Sequence, residues 1–210
     1  MVGCRVPGPT CRERATGTAQ APRDEGADGN ALPAGASLAA STGPTLSGWP
    51  REISWSEFRE VQSRPTGENE DATISSNLQQ PDQVNVARSS GRFRLDSYEA
   101  VLSVVESESW VVTSAKSDEL LAHEQGHYDI TGLVARDMIR DLRALRAAST
   151  AALQREVQAI IRRADALADR LTALYDQQTN HGRDRARQAR WDQLLRTSIQ
   201  NSTRLRGGPR

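Results

Sequence analysis

Between Pro81 and Pro209 the chain contains no proline, and from Ser117 onward that stretch keeps helical periodicity. Without proline a helix can run for many turns, with a rise of about 1.5 Å per residue deciding which side chains can meet. Near its start lies His123-Glu124-Gln125-Gly126-His127, which holds two of the chain's three histidines. Residues four apart on a helix share a face, about 40° apart around the axis. Two imidazoles so placed can grip one metal ion. Glu124 lies about 60° around the axis from His127, near enough to act on a water without joining the ligands. The pattern H-E-x-x-H on a helix is that of zinc-assisted hydrolysis, with the glutamate as general base.

The surroundings of the motif read as a helix. Ser117 before Asp118 and Glu119 forms a cap followed by two acids in the first turn. Leu120, His127, Val134, Met138 and Leu145 keep one face. The helix is expected to end near Ala148, before Ser149-Thr150. A second helix, carrying Leu153, Val157, Ile160, Leu167 and Leu171, is expected to end near Tyr175-Asp176. After a turn over 178–182, a third should run from about Arg183 to Ser198 and carry Trp191, Leu194, Leu195 and Ile199.

Upstream of the motif the texture is that of short strands: Ala72–Leu78, Val84–Val86, Phe93–Leu95, Tyr98–Val105 and Trp110–Val112. Turn formers such as Pro65-Thr-Gly67, Pro81-Asp82 and Ser89-Ser-Gly91 separate them. Strands followed by helices predict an α+β domain, with a short N-terminal sheet packed on the motif helix and two further helices after it. The domain is expected over residues 49–205. Residues 1–48, rich in Gly, Ala, Pro, Ser and Thr without periodicity, are expected to be a disordered tail or linker.

Composition excludes several functions. The formal net charge is zero, and Lys116 is the only lysine, so there is no nucleic-acid footprint. No apolar run reaches the roughly 20 residues of a membrane helix. The first thirty residues contain no apolar core of a signal peptide. Met1-Val-Gly-Cys4 resembles the end of a bacterial lipoprotein cleavage box, so Cys4 would be a lipidated N-terminus if translation starts upstream. Cys4 and Cys11 otherwise read as incidental thiols, since they lack the spacing of a zinc pair.

A catalytic zinc usually takes three protein ligands and leaves one position open. On the motif helix Asp129 points away, while Asp137 and Asp141 lie about 15 and 21 Å beyond His127. The third ligand must come from elsewhere. A second helix returning antiparallel regains the metal's level near residue 171. Just beyond lies Tyr175-Asp-Gln-Gln-Thr-Asn-His181-Gly182. His181, the one remaining histidine, is the favoured ligand. Asp176 and Asp169 are the reserves, and Asp176 would otherwise hold an imidazole N–H from outside. Tyr128 or Tyr175 is a conceivable oxyanion donor, although a core or surface tyrosine is the plainer reading.

Ile53-Ser-Trp-Ser-Glu-Phe58, Ser109-Trp-Val111, Leu120–Ile130 and Tyr175–Gly182, with Gln188 and Trp191, resemble the bacterial domain-of-unknown-function family 922 over roughly residues 50 to 200. That resemblance implies a zincin-like fold and a zinc-dependent protease of the cell envelope or exterior. The expected function is a zinc hydrolase, foremost a metallo-endopeptidase. It would hold one Zn2+ through His123, His127 and His181, use Glu124 as base, and act on a peptide or protein. In zincins the strand before the motif helix, here Tyr98–Val105, is often the edge to which an extended peptide adds. The alternative is a non-catalytic, zinc-stabilised interaction or scaffold domain, in which Glu124 would be an incidental acid.

Overall fold

The computed structural model describes residues 10–13, as backbone, and residues 43–209. Most of the expected tail, and with it Cys4, lies outside the described residues. Among the described residues eight strands precede three helices: β1 (Thr10–Glu13), β2 (Gly43–Ser47), β3 (Arg59–Val61), β4 (Ala72–Thr73), β5 (Ser76–Gln79), β6 (Gln83–Ser89), β7 (Arg92–Val104), β8 (Trp110–Val112), α1 (Asp118–Ala144), α2 (Thr150–Thr179) and α3 (Arg185–Gln200). The class is therefore α+β, as expected. Two mixed sheets form. The larger runs β1-β6-β7-β2 with β5 also on β7, and the smaller runs β3-β8-β4.

β7 is the backbone of the larger sheet and unites two segments that look separate in the sequence. Ser97 faces Asn85 and Leu95 faces Val86, so Asp96 is an extra residue on β7. Such a bulge shifts the side-chain parity. Leu95 and Tyr98 are both buried despite an odd spacing, and Ala100 and Leu102 then follow Tyr98 on the core face. Ser90 and Gly91 turn the β6–β7 hairpin with φ of 50° and 76°. Positive φ at both positions matches the strand twist of a two-residue hairpin.

β7 is not an edge. β2 pairs along its Ser97–Val101 stretch, and β5 and β6 occupy its other side. The backbone groups needed to add a peptide there are taken, so the expected docking edge is not available on this strand.

β2 also means that the packed structure starts ahead of residue 49. Pro44 is buried, and Leu46 packs against both apolar clusters. Removal of residues 1–42, which takes β1 from the edge of β6, is expected to lower the melting temperature less than removal of 1–48, which also takes β2 and the buried Pro44 from β7. Equal melting of the two truncations would show that β2 contributes nothing to the fold.

α1 is capped as its sequence predicts, with Ser117 Oγ accepting from Leu120 N at 3.1 Å. It stops at Ala144, short of Ala148, because Ala147 exchanges two backbone hydrogen bonds with Phe93, at 2.8 and 2.9 Å. A helical Ala147 could not reach the sheet. α2 begins on Ser149, whose Oγ accepts from Ala152 N, and it continues to Thr179, past the expected end. Its C-cap is Asn180 in the left-handed region.

α1 lies against the sheets on one side and α2 and α3 on the other, so much of its circumference is buried. Ile130, Leu133, Val134 and Met138 are all at most 4 % exposed. Gly132 is required where Trp49 crosses it, since a Cβ there would lie 2.4 Å from indole carbons. No helix among the described residues is long and apolar enough to cross a membrane.

Candidate metal centre

His123, Glu124 and His127 project from the second and third turns of α1, and His123 and Glu124 are each 2 % exposed. The two Nε2 atoms lie 3.3 Å apart, as helical spacing requires. What completes the cluster is α2. The Tyr175 ring stacks on His123 with centroids 4.7 Å apart and planes 16° apart, and it meets His127 edge-on at 4.9 Å. That approach depends on Gly126 within the motif. A Cβ on Gly126 would lie 2.2 Å from Tyr175 Oη and 2.5 Å from Cζ. Gly126→Ala is expected to cost about 1–3 kcal/mol through overpacking, read by urea denaturation. Wild-type stability in that variant would show that the two helices can separate freely.

With Tyr175 packed at the level of the imidazoles, the next residue faces them. Asp176 Oδ1 lies 3.3 Å from His123 Nε2 and 2.9 Å from His127 Nε2. These three atoms form the metal-capable group found among the described residues. One face of a tetrahedron with bonds of about 2.05 Å has edges of about 3.3 Å. Edges of 3.3, 3.3 and 2.9 Å therefore match a zinc-sized ion. Asp176 Oδ1 is buried, yet no donor is aligned on it as a hydrogen bond. A buried carboxylate oxygen facing two imidazole nitrogens without such a bond is suited to a cation.

The favoured third ligand of the sequence, His181, is next to this group but not part of it. Its Nδ1 is 2.7 Å from Glu70 Oε1 and 3.8 Å from Asp176 Oδ1. It follows the end of α2 with φ 53°. Asp169, the other reserve, is exposed on α2 and points away from α1. The two tyrosines do not serve the cleft either. Tyr128 Oη donates to Gly48 O at 2.8 Å, and Tyr175 Oη donates to His123 O at 3.2 Å. Asp129, on the far side of α1, accepts from Trp49 Nε1 at 2.9 Å.

Glu124 is held by a backbone group that the sheets leave available. The segment from Ala72 to Gln79 pairs first with β8 and then with β7. Ile74 lies at the crossing, and its N–H donates to Glu124 Oε2 at 2.9 Å. Ser109 fixes that crossing, its Oγ accepting from Ser75 N and donating to Val105 O, both at 2.9 Å.

Burial pushes the Glu124 carboxyl above its usual range, opposed by the charges of His127 and His123 and by the Ile74 N–H. For His127, burial works against the charged ring. The adjoining Asp176 carboxylate, with the charges of Glu124 and Glu70, outweighs it and raises its pKa. Asp176 moves the other way. Burial would raise it, but the two imidazoles hold it well below the usual carboxylate range.

The centre opens into a cleft of about 390 Å³ lined by His123, Glu124 and His181 together with Glu70, Leu120 and Arg183. Arg183 donates from Nη2 to Asn69 O at 3.1 Å, which ties the turn after α2 to the loop before β4.

The sequence assigns no role in the site to two contributors. Ile74 acts through its backbone, which leaves no residue-type signal. Gln188 sits with its Oε1 3.1 Å from His123 Nδ1. It did leave a trace: Gln188, Trp191, Leu195 and Ser198 are the buried stripe of α3, so a polar residue occupies an inward position.

Residues 92–182 match the model of a family described as bacterial protein of unknown function (DUF922). The matched stretch runs from β7 to the turn after α2 and contains His123, Glu124, His127, Asp176 and His181, while Gln188 lies beyond it. No curated protein and no solved structure matches the chain.

Proposed function

We propose that this chain is a zinc-dependent hydrolase, foremost a metallo-endopeptidase, in which His123, His127 and Asp176 hold one Zn2+ and Glu124 is the general base. The carrying observation is the Nε2, Nε2, Oδ1 triangle, with edges of 3.3, 3.3 and 2.9 Å, beside a buried glutamate in an open cleft. Two histidines and one carboxylate are an established ligand set for catalytic zinc. When bound, the ion supplies Lewis acidity toward a water and toward a scissile carbonyl.

The protein's own groups supply the rest. Glu124 Oε2 is anchored by Ile74 N–H, which leaves Oε1 to accept the proton of the attacking water and return it to the leaving amine. Its raised proton affinity suits a group that must hold a proton between those two events. The α2 packing fixes Asp176 relative to the imidazoles. A polypeptide is the proposed substrate. The cell envelope or exterior is the proposed location, resting on the family likeness.

Metal analysis of the purified protein, joined to a chelator-sensitive peptide-hydrolysis assay, tests this function. About one zinc per chain and hydrolysis that stops with chelator and returns with zinc are expected. No bound metal after zinc loading would overturn it.

Stability should depend on pH in opposite senses with and without metal. His127 has a folded pKa above its usual 6.5, so its pairing with Asp176 contributes fully below that value and is lost as pH rises through the folded pKa. Glu124, raised above 4.5, likewise loses stability as pH rises. Asp176, lowered below 3.8, contributes above 3.8 and loses its contribution only in strong acid. The metal-free protein should thus weaken as pH rises above 4.5, and further as it rises above 6.5. Zinc needs deprotonated imidazoles, so its stabilisation should grow over the same window. Melting curves with zinc and with chelator are expected to diverge as pH rises. A constant gap would contradict the assigned ligands.

A further inference from the structure

We propose that Gln188 and Asp192 are positioning residues that lock His123 in the tautomer with hydrogen on Nδ1 and a free lone pair on Nε2. This rests on the zinc reading for its purpose, but the lock itself is a property of the protein alone. Gln188 Nε2 lies 2.7 Å from Asp192 Oδ1 and 2.6 Å from Tyr175 Oη. An ionised carboxylate can only accept, so the atom facing Asp192 must be the amide nitrogen. The orientation of the Gln188 amide follows, and its oxygen is the atom turned to His123 Nδ1 at 3.1 Å. An amide oxygen cannot donate, so Nδ1 must carry the hydrogen.

Tyr175 closes the set of assignments. Its hydroxyl receives one Gln188 N–H and donates its own hydrogen to His123 O at 3.2 Å. Both amide hydrogens of Gln188 are thereby used, and every proton between Asp192 and His123 has a single consistent position. Gln188 is 8 % exposed and Tyr175 is fully buried, so water cannot readily substitute for either. The network also holds the ring plane, because Tyr175 stacks on His123 from the other helix.

Asp192 itself lines a different opening, a cleft of about 480 Å³ on the far side of α1 that Gln125 and Asp129 also line. The orientation of a buried metal ligand is therefore set by a carboxylate reached from the opposite face of the helix. An isolated neutral imidazole carries its hydrogen on either nitrogen, and a zinc ligand needs one chosen.

The experiment is nitrogen-15 NMR of the imidazoles in the full chain, without metal, well above the usual imidazole pKa of about 6.5. Asp176 Oδ1, 3.3 Å from His123 Nε2, draws a hydrogen there when no metal is bound, so the tautomer is read in an Asp176→Ala background, where His123 should be protonated at Nδ1 alone. Asp192→Asn keeps the size but lets either amide face Gln188, and should give a mixture of tautomers. Gln188→Leu should move the hydrogen toward Nε2 and weaken zinc binding roughly 10–100-fold. The double variant Gln188→Glu/Asp192→Asn, which retains the acceptor toward Nδ1 and supplies a donor from position 192, should keep the Nδ1–H form and rescue part of that affinity. Circular dichroism checks that each variant is folded. His123 protonated at Nε2 in the Asp176→Ala background would overturn the proposal, as would an Asp192→Asn spectrum unchanged in that background. A protein that binds no zinc but shows the Nδ1–H tautomer would sink the hydrolase and leave the lock standing.

Discussion

Glu124→Gln should bind zinc with wild-type stoichiometry, fold normally and lose turnover. The amide keeps the length of the side chain and an oxygen for Ile74 N–H, which now reaches Glu124 Oε2 at 2.9 Å. It removes the capacity to take a proton. General-base contributions are about 10²–10⁴-fold in rate, so the loss should exceed any assay scatter. The variant should melt at or above the wild-type temperature near neutral pH, because burial disfavours the charge that the substitution removes. Rate, zinc content and melting together separate the two classes of function. A non-catalytic zinc domain predicts a substitution that is silent apart from stability. Full peptide-hydrolase activity in Glu124→Gln would rule out the proposed base even if zinc were found on the imidazoles.

Asp176→Ala should remove most zinc affinity, while His181→Ala should weaken it far less. Asp176 Oδ1 is within 3.3 Å of both Nε2 atoms, whereas His181 Nδ1 lies 2.7 Å from Glu70 Oε1 and 3.8 Å from Asp176 Oδ1, outside the metal-capable group. Losing an outer partner costs about 10–100-fold in affinity, and losing one of three ligands should cost well beyond that. Competition against a chromophoric chelator measures both variants on one scale. The reverse order, with His181→Ala the more damaging, would restore the histidine as third ligand and make Asp176 its outer partner.

The choice between these two residues shows where a sequence reading stops. Helical arithmetic brings α2 back to the metal's level near residue 171 and leads on to the turn after it. The level is set instead by a contact, Tyr175 against Gly126. α2 is still helical at that point, and Asp176 is carried on it to the imidazoles. Asp169 looked equivalent in type and distance, but its place around the helix leaves it in solvent. The strands show the same division. Periodicity identified both halves of β7, yet the bulge at Asp96 that joins them is a property of its pairing with β6. β2 had no periodic signature, because a five-residue parallel strand is defined by the neighbour it adds to.

What the sequence by itself determined is local. The Ser117 cap, the long α1 and the common face of His123 and His127, with Glu124 beside them, follow from a 3.6-residue period that needs no other part of the chain. The α+β class follows from the order of the periodic segments. Only the tertiary structure decided which carboxylate meets the imidazoles, which backbone N–H holds Glu124, and which amide orients His123. Each of those is a meeting of segments at least 49 residues apart in the chain. Their register depends on side-chain packing between elements, which no local period encodes.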